Sequence, residues 1–261
     1  IGLEAINQGY EVTVFDDLST GFKSNIHPSA NFFQGSTLFE DDLDKVMKNY
    51  SFDVVIHLAA GKAAGESMTN PSKYAKNNII GGINLIRACA DYGINKFIFS
   101  SSAAVYGIPE YNPIDELHPL SPINYYGYTK LLIENNLKWF SDLKGIRYAS
   151  LRYFNAAGYD PKKRIFKKEQ NPQNLIPIVM ETANKEREKL FVFGNDYKTK
   201  DGTGIRDYIH VSDLADGHLS AIKYIYEKNK DLVINLGTGE GHSVIDIIKM
   251  THKVSGKKIE Y

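Results

Sequence analysis

The sequence predicts a doubly wound α/β fold: a mostly parallel sheet with helices on both faces, joined to a smaller mixed α/β part. Two observations carry this. Short, nearly continuous apolar runs recur along the chain, as strands buried on both faces require. Segments of helical spacing separate those runs, giving each strand a crossover long enough to reach a parallel neighbour.

Residues 1–7 read as the end of a helix, with Gly9 as its stop signal. Residues 11–15 (EVTVF) form a β-branched strand, and Phe32 and Phe33 a second one before Gln34-Gly35. Residues 53–58 (DVVIHL), 96–100 (KFIFS), 147–152 (RYASLR) and 232–236 (LVINL) are further strands. Helices are predicted at 41–49, 74–92, 126–144, 175–187, 211–227 and 244–254, and residues 258–261 read as strand. The most loop-like stretch is 156–173, with Pro161, Pro172 and the charged run 162–168. Its composition marks a boundary between a cofactor half, residues 1–155, and a later, more mixed half, mainly residues 156–261 and interleaved with the first.

Bulk properties exclude several classes. With 261 residues, 43% of them hydrophobic, the chain can bury a substantial core. Its formal net charge of zero advertises neither nucleic acid nor an anionic membrane. The single cysteine, Cys89, makes no internal disulfide. No apolar run approaches the ~20 residues of a membrane span, and residues 1–20 lack the layout of a signal peptide. A cytoplasmic protein is expected.

Three groups could carry chemistry. Asp16 and Asp17 end the strand at 11–15, where dinucleotide-binding folds place a carboxylate for the ribose hydroxyls, favouring NAD over NADP. A solvated turn is the commoner fate of an Asp–Asp pair. Residues 96–107 (KFIFSSSAAVYG) run a strand into Ser100, Ser101 and Ser102 at the strand end where such sheets bind ligands. Those hydroxyls could equally satisfy a turn. In SPINYYGYTK, Tyr126 and Lys130 are spaced i, i+4 and share one helix face. An ammonium there is expected to lower the phenol pKa and make Tyr126 a general base. Tyr125 and Tyr128 point elsewhere, to packing or rim.

Taken with VFDDLSTG (14–21), VVIHLAAGKAAGES (54–67), LRYFNAAG (151–158), QNLIP (173–177), FGNDYKTKDGTGIRDYIHVSDLADGH (193–218) and INLGTGEGHSV (234–244), these motifs give a wide match. The chain resembles the extended short-chain dehydrogenase/reductase superfamily and, within it, the UDP-glucose 4-epimerase family. The resemblance implies a Rossmann-like NAD-binding domain and transient oxidation of a UDP-sugar at C4, interconverting UDP-glucose and UDP-galactose. It implies Tyr126 as base, Ser102 as its partner at the 4-hydroxyl, and Lys130 on the nicotinamide ribose. Asp16, Ser36, Leu58, Ala59, Ala60, Lys62, Asn77, Ser100, Tyr153 and Phe154 would meet NAD, with Phe154 and Asn155 forming a floor shared with the sugar. Asn174, Leu175, Phe191, Phe193, Arg206 and Tyr208 would build the UDP pocket, where a guanidinium suits diphosphate oxygens. From the residues alone, Arg206 pairs with Asp207 or Asp201, Phe191 and Phe193 pack a strand, and His57 and His210 are structural. A homodimer through the helices at 74–92 and 126–144 is implied, and no metal.

The sequence departs from that pattern in places. The glycine-rich phosphate turn is absent, so the sequence is expected to begin inside the first βαβ unit, and residues 1–261 alone to hold NAD weakly. Ser36 stands where the family has an aspartate beside the adenine. Alternatives are a 4,6-dehydratase, a UDP-N-acetylglucosamine 4-epimerase, or a non-catalytic NAD-binding protein. Ala103 and Ala104, which cannot move protons, sit where a dehydratase has an acid.

Overall fold

The computed structural model describes residues 1–165, 169 and 172–261. Of the charged run at 162–168, Phe166, Lys167 and Lys168 lie outside the described residues.

The fold is doubly wound α/β. Helix α1 (Gly2–Asn7) stops before Gly9, whose φ of +87° suits only glycine there. Strands β1 (Thr13–Asp16) and β2 (Asn31–Gln34) pair in parallel, Asp16 against Gln34. Strands β3 (Val55–His57), β4 (Lys96–Ser102), β5 (Arg147–Tyr153) and β8 (Leu232–Leu236) form a parallel sheet in that order. The period of two along β4 explains its burial on both faces. Phe97 and Phe99 pack with Leu43 and Val46 of α2 (Glu40–Asn49), Ile86 of α5 (Gly81–Asp91), and Ile133 and Leu137 of α6 (Tyr125–Lys144). Ile98 faces the other way, onto Leu219, Ile222 and Ile225 of α8 (Val211–Lys228). Phe15 and Phe33 join the first cluster and Tyr10 and Val12 the second, so β1 and β2 lie between the same helical layers.

A second sheet holds β6 (Asn155–Ala157), β7 (Ile205–His210) and β9 (Gly241–Ser243), with β6–β7 parallel and β7–β9 antiparallel. Val179 and Ala183 of α7 (Leu175–Ala183) and Ile248 of α9 (Val244–Ser255) form a third core with Leu190 and Ile259. Sequence periodicity missed these three strands and α3 (Ala64–Thr69). They are short, and their apolar alternation is weak.

Three expected elements change. The helix read at 74–92 starts at α4 (Pro71–Tyr74), because Asn70 Oδ1 accepts the Lys73 amide at 3.3 Å and Pro71 suits a first turn. It continues through a π-helical turn (Ala75–Ile80) into α5. The helix read to 187 ends at Ala183, where Lys185 takes φ +60°. Residues 258–261 form no strand; the Leu190 amide makes a single bond to the Glu260 carbonyl, 2.8 Å.

Candidate active site

The carboxyl ends of β1, β3, β4 and β5 bring Asp16, Leu58–Ala60, Ser100–Ser102 and Tyr153 to one edge of the fold. Asp16 Oδ1 accepts the Leu18 amide at 2.6 Å, which aims the turn back at its own carboxylate. Ser36 Oγ accepts the Leu38 amide at 3.3 Å, and its own amide donates to Asp42 at 3.1 Å. Leu58 is 48% exposed. Lys62 pairs with Glu169 at 2.8 Å. Asn77 is half-buried, whereas its neighbour Asn78 is buried and does the clamping: it accepts the Gly61 amide at 2.7 Å and donates to the Gly61 carbonyl and to Thr129 Oγ1, each at 3.0 Å.

Helix α6 is seated by those contacts. Asn124 Oδ1 caps it by accepting the Gly127 amide at 2.8 Å. Thr129 Oγ1 donates to the Tyr126 carbonyl at 2.7 Å, and the Tyr126 amide donates to Ser67 Oγ at 3.0 Å. Gly127 permits the closest approach: a Cβ there would lie 2.4 Å from the Ala104 carbonyl oxygen, just past Ser102. That approach sets Tyr126 beside Ser102, whose hydroxyl favours the ionised phenol. Lys130, fully buried, lies 5.8 Å from the Tyr126 ring centroid, and Nζ donates to the Ser100 carbonyl at 2.7 Å. Tyr125 and Tyr128 stack on each other at 5.7 Å, with Tyr128 exposed. They belong to the rim.

One expectation is corrected. Lys130 does not lower the Tyr126 phenol in this fold: burial pushes that pKa up, and only the Ser102 hydroxyl opposes it. The ammonium is spent on a backbone carbonyl. Its own pKa is pushed down to about 8 by burial, with Glu134 one turn further along α6 opposing the fall.

Glu134 belongs to a buried polar chain that sequence reasoning missed. Arg152 of β5 grips it with Nε at 3.0 Å and Nη2 at 2.6 Å, and Ser101 Oγ donates to it at 2.5 Å. Arg152 Nη1 donates to the Tyr106 hydroxyl at 2.9 Å, which donates to Asn235 Oδ1 at 2.6 Å. The i, i+4 spacing of Lys130 and Glu134 was a signal for the face, but not for the partner. Tyr153 bonds to His218 of α8 at 2.5 Å, and burial raises its phenol pKa. His57 is buried between Phe97 and Phe99 at ring distances of 6.1 and 5.8 Å, as a structural residue would be.

The small sheet places the second set. Asn155 Nδ2 donates to the Asp207 carbonyl at 2.9 Å, Tyr208 lies opposite Asn155 in register, and the Phe154 amide donates to the Leu236 carbonyl at 3.1 Å. Arg206 pairs with neither aspartate. The Asp207 carboxylate accepts from the Thr238 hydroxyl and the Gly239 amide, both at 2.8 Å. Asp201 accepts from Thr203 Oγ1 at 2.7 Å and from the Ser243 hydroxyl. Among the described residues, Arg206 Nη1 reaches only the adjacent Ile205 carbonyl, at 2.8 Å, and stays exposed. Phe191 and Phe193 are 62% and 87% exposed rather than packed in a strand, and Asn174 and Leu175 open α7.

A model of the NAD dependent epimerase/dehydratase family matches residues 3–237. The chain belongs to that family. Among its relatives, the UDP-glucose 4-epimerase of Streptococcus mutans serotype c is 42% identical over 250 residues, covering 95% of this chain and 75% of that protein. The UDP-glucose 4-epimerase of Bacillus subtilis is 42% identical over 268 residues, covering 99% and 79%. The crystal structure of UDP-glucose 4-epimerase from Brucella ovis in complex with NAD superposes with a TM-score of 0.96 at 40% identity, covering 99% of this chain and 79% of that one. Family membership accounts for the strand-end edge.

Proposed function

We propose that the protein interconverts UDP-glucose and UDP-galactose by transient oxidation at sugar C4. The observation that carries this is the seating of Tyr126 and buried Lys130 on one face of α6 against the serine end of β4, with Lys130 Nζ donating to the Ser100 carbonyl at 2.7 Å and lying 5.8 Å from the Tyr126 ring centroid. Arg206, exposed and without a carboxylate, supplies a fitting partner for a diphosphate.

Residues 1–155 hold NAD, with Asp16 on the adenosine ribose and Ser36, Leu58, Ala59, Ala60, Lys62, Asn77, Ser100, Tyr153 and Phe154 along it. NAD, when bound, supplies a reversible hydride acceptor for C4. Lys130 donates to the nicotinamide ribose, and the Ser102 hydroxyl is the group that opposes the rise burial imposes on the Tyr126 phenol. The Tyr126 phenolate removes the 4-hydroxyl proton while Ser102 holds that oxygen. After the 4-keto sugar has turned, Tyr126 returns the proton on the other face. Residues 156–261 mainly hold the UDP-sugar, through Asn174, Leu175, Phe191, Phe193, Arg206 and Tyr208, with Asn155 added from the first part. The two parts interleave, as the return of β8 to the first sheet supports.

The test is to incubate the full-length protein with UDP-galactose, and separately with UDP-N-acetylgalactosamine, and to identify products by NMR. UDP-glucose is the expected product from UDP-galactose, and UDP-N-acetylglucosamine from the second incubation would support the N-acetyl-sugar epimerase. Accumulation of a 4-keto-6-deoxy sugar from UDP- or dTDP-glucose would instead support the dehydratase reading, which Ala103 and Ala104 disfavour. Tyr126→Phe should abolish turnover and leave UDP-sugar binding intact. We also propose a cytoplasmic homodimer through α5 and α6; Trp139 and Leu143 of α6 are 65% and 71% exposed, an apolar stripe for a second copy. Among the described residues, no helix is long and apolar enough to cross a membrane.

A further inference from the structure

We propose that His218, on α8, is a positioning residue that captures the hydroxyl proton of Tyr153, so that Tyr126 is left as the one phenol able to exchange a proton at the heads of β4 and β5. The proposal rests on the reading of Tyr126 as the base.

Hydrogen-bond direction fixes the tautomer of His218. His218 is fully buried, and its Nδ1 lies 2.7 Å from the Leu214 carbonyl. A carbonyl only accepts, so Nδ1 carries the proton. Burial also keeps the ring neutral, its pKa pushed down to about 4. Nε2 is then a bare lone pair, and the Tyr153 hydroxyl 2.5 Å away must donate to it. That hydroxyl has one hydrogen, and His218 takes it. Tyr153, at the end of β5, is thereby tied to α8. The neighbouring Ser100 carbonyl, near the end of β4, holds the Lys130 ammonium at 2.7 Å.

The consequence concerns competition between two phenols. Tyr153 and Tyr126 are close enough that the charge of one disfavours ionisation of the other. A Tyr153 hydroxyl free to rotate could donate to the Tyr126 phenolate, making it a weaker base, or to the sugar oxygen that Tyr126 must deprotonate. With its proton turned into α8, Tyr153 presents only lone pairs toward the site. Its ring is also pinned, because β5 holds one end and His218 the other.

The first test does not depend on activity. Long-range proton–nitrogen NMR of the histidine side chains in the full-length protein, free of substrate, should show His218 as the Nδ1–H tautomer with an unprotonated Nε2. It should not titrate between pH 5.5 and 8. An Nε2–H tautomer, or a ring titrating near its ordinary value of about 6.5, overturns the proposal whether or not the protein is an epimerase. The second test uses His218→Phe, which keeps a ring but no acceptor, and His218→Gln, whose amide oxygen can still accept. His218→Phe should lower kcat about ten-fold, the scale of one buried hydrogen bond, with KM for the UDP-sugar nearly unchanged. His218→Gln should recover most of the loss. Equal kcat in both variants at wild-type level overturns the role. If neither variant folds, the NMR result on the unaltered protein decides. If the UDP-sugars are not turned over at all, the tautomer still stands or falls separately.

Discussion

Replacing Glu134 with alanine is the sharpest test of how the site is held in place. Arg152 is only 4% exposed, and Glu134 is its anionic partner through two bonds of 3.0 and 2.6 Å. Removing the carboxylate leaves a buried, uncompensated guanidinium and takes the acceptor from the Ser101 hydroxyl at 2.5 Å. Breaking a buried pair from one side costs about 3–5 kcal/mol. At roughly 2–4 °C per kcal/mol for a chain of this size, the melting midpoint should fall by about 10 °C. The assay is urea unfolding, followed by fluorescence with an unchanged m-value, beside a thermal melt at pH 7. The double variant Glu134→Leu/Arg152→Met removes both charges together and should cost less than the single change. A single variant within about 1 kcal/mol of the parent, or a double variant as costly as the two singles added, would refute the reasoning.

Three further outcomes follow from the geometry. Gly127→Ala pushes a methyl against the Ala104 carbonyl, 2.4 Å away, so α6 must lift from the end of β4; turnover should fall about 10²-fold with UDP-sugar binding kept, measured by kcat and by titration calorimetry. Lys130 carries a folded-state pKa of about 8, below its unfolded value of about 10.4, so its burial penalty is fully felt below pH 8 and fades as the pH rises toward 10. Lys130→Met lifts that penalty but leaves the Ser100 carbonyl without its donor, so the net change at pH 7 should be small, and unfolding at a series of pH values should show the variant losing ground to the parent above pH 8. Among the described residues, Ser150 Oγ is buried with no partner in the middle of β5; Ser150→Ala should be neutral or stabilising by about 1 kcal/mol in urea unfolding.

Features that depend on local spacing are legible in the chain alone. The apolar run through Phe97, Ile98 and Phe99 could only be a strand buried on both faces, and it is. The i, i+4 spacing of Tyr126 and Lys130 singled out one of three tyrosines, because a helix puts that pair on one face whatever surrounds it. Motif order went further and pointed to the family. Tertiary structure decided the rest, for reasons of distance along the chain. Glu134 meets Arg152 from 18 residues away and Tyr153 meets His218 from 65, pairings that exist only once α6 and α8 are laid on opposite faces of the sheet. The short strands β6, β7 and β9 are made by their neighbours, not by their composition. The direction of the Tyr126 shift also waited on the fold. A lysine in sequence reach suggested a lowered phenol, but the sign was set by burial, and by a backbone carbonyl at Ser100 that claims the ammonium.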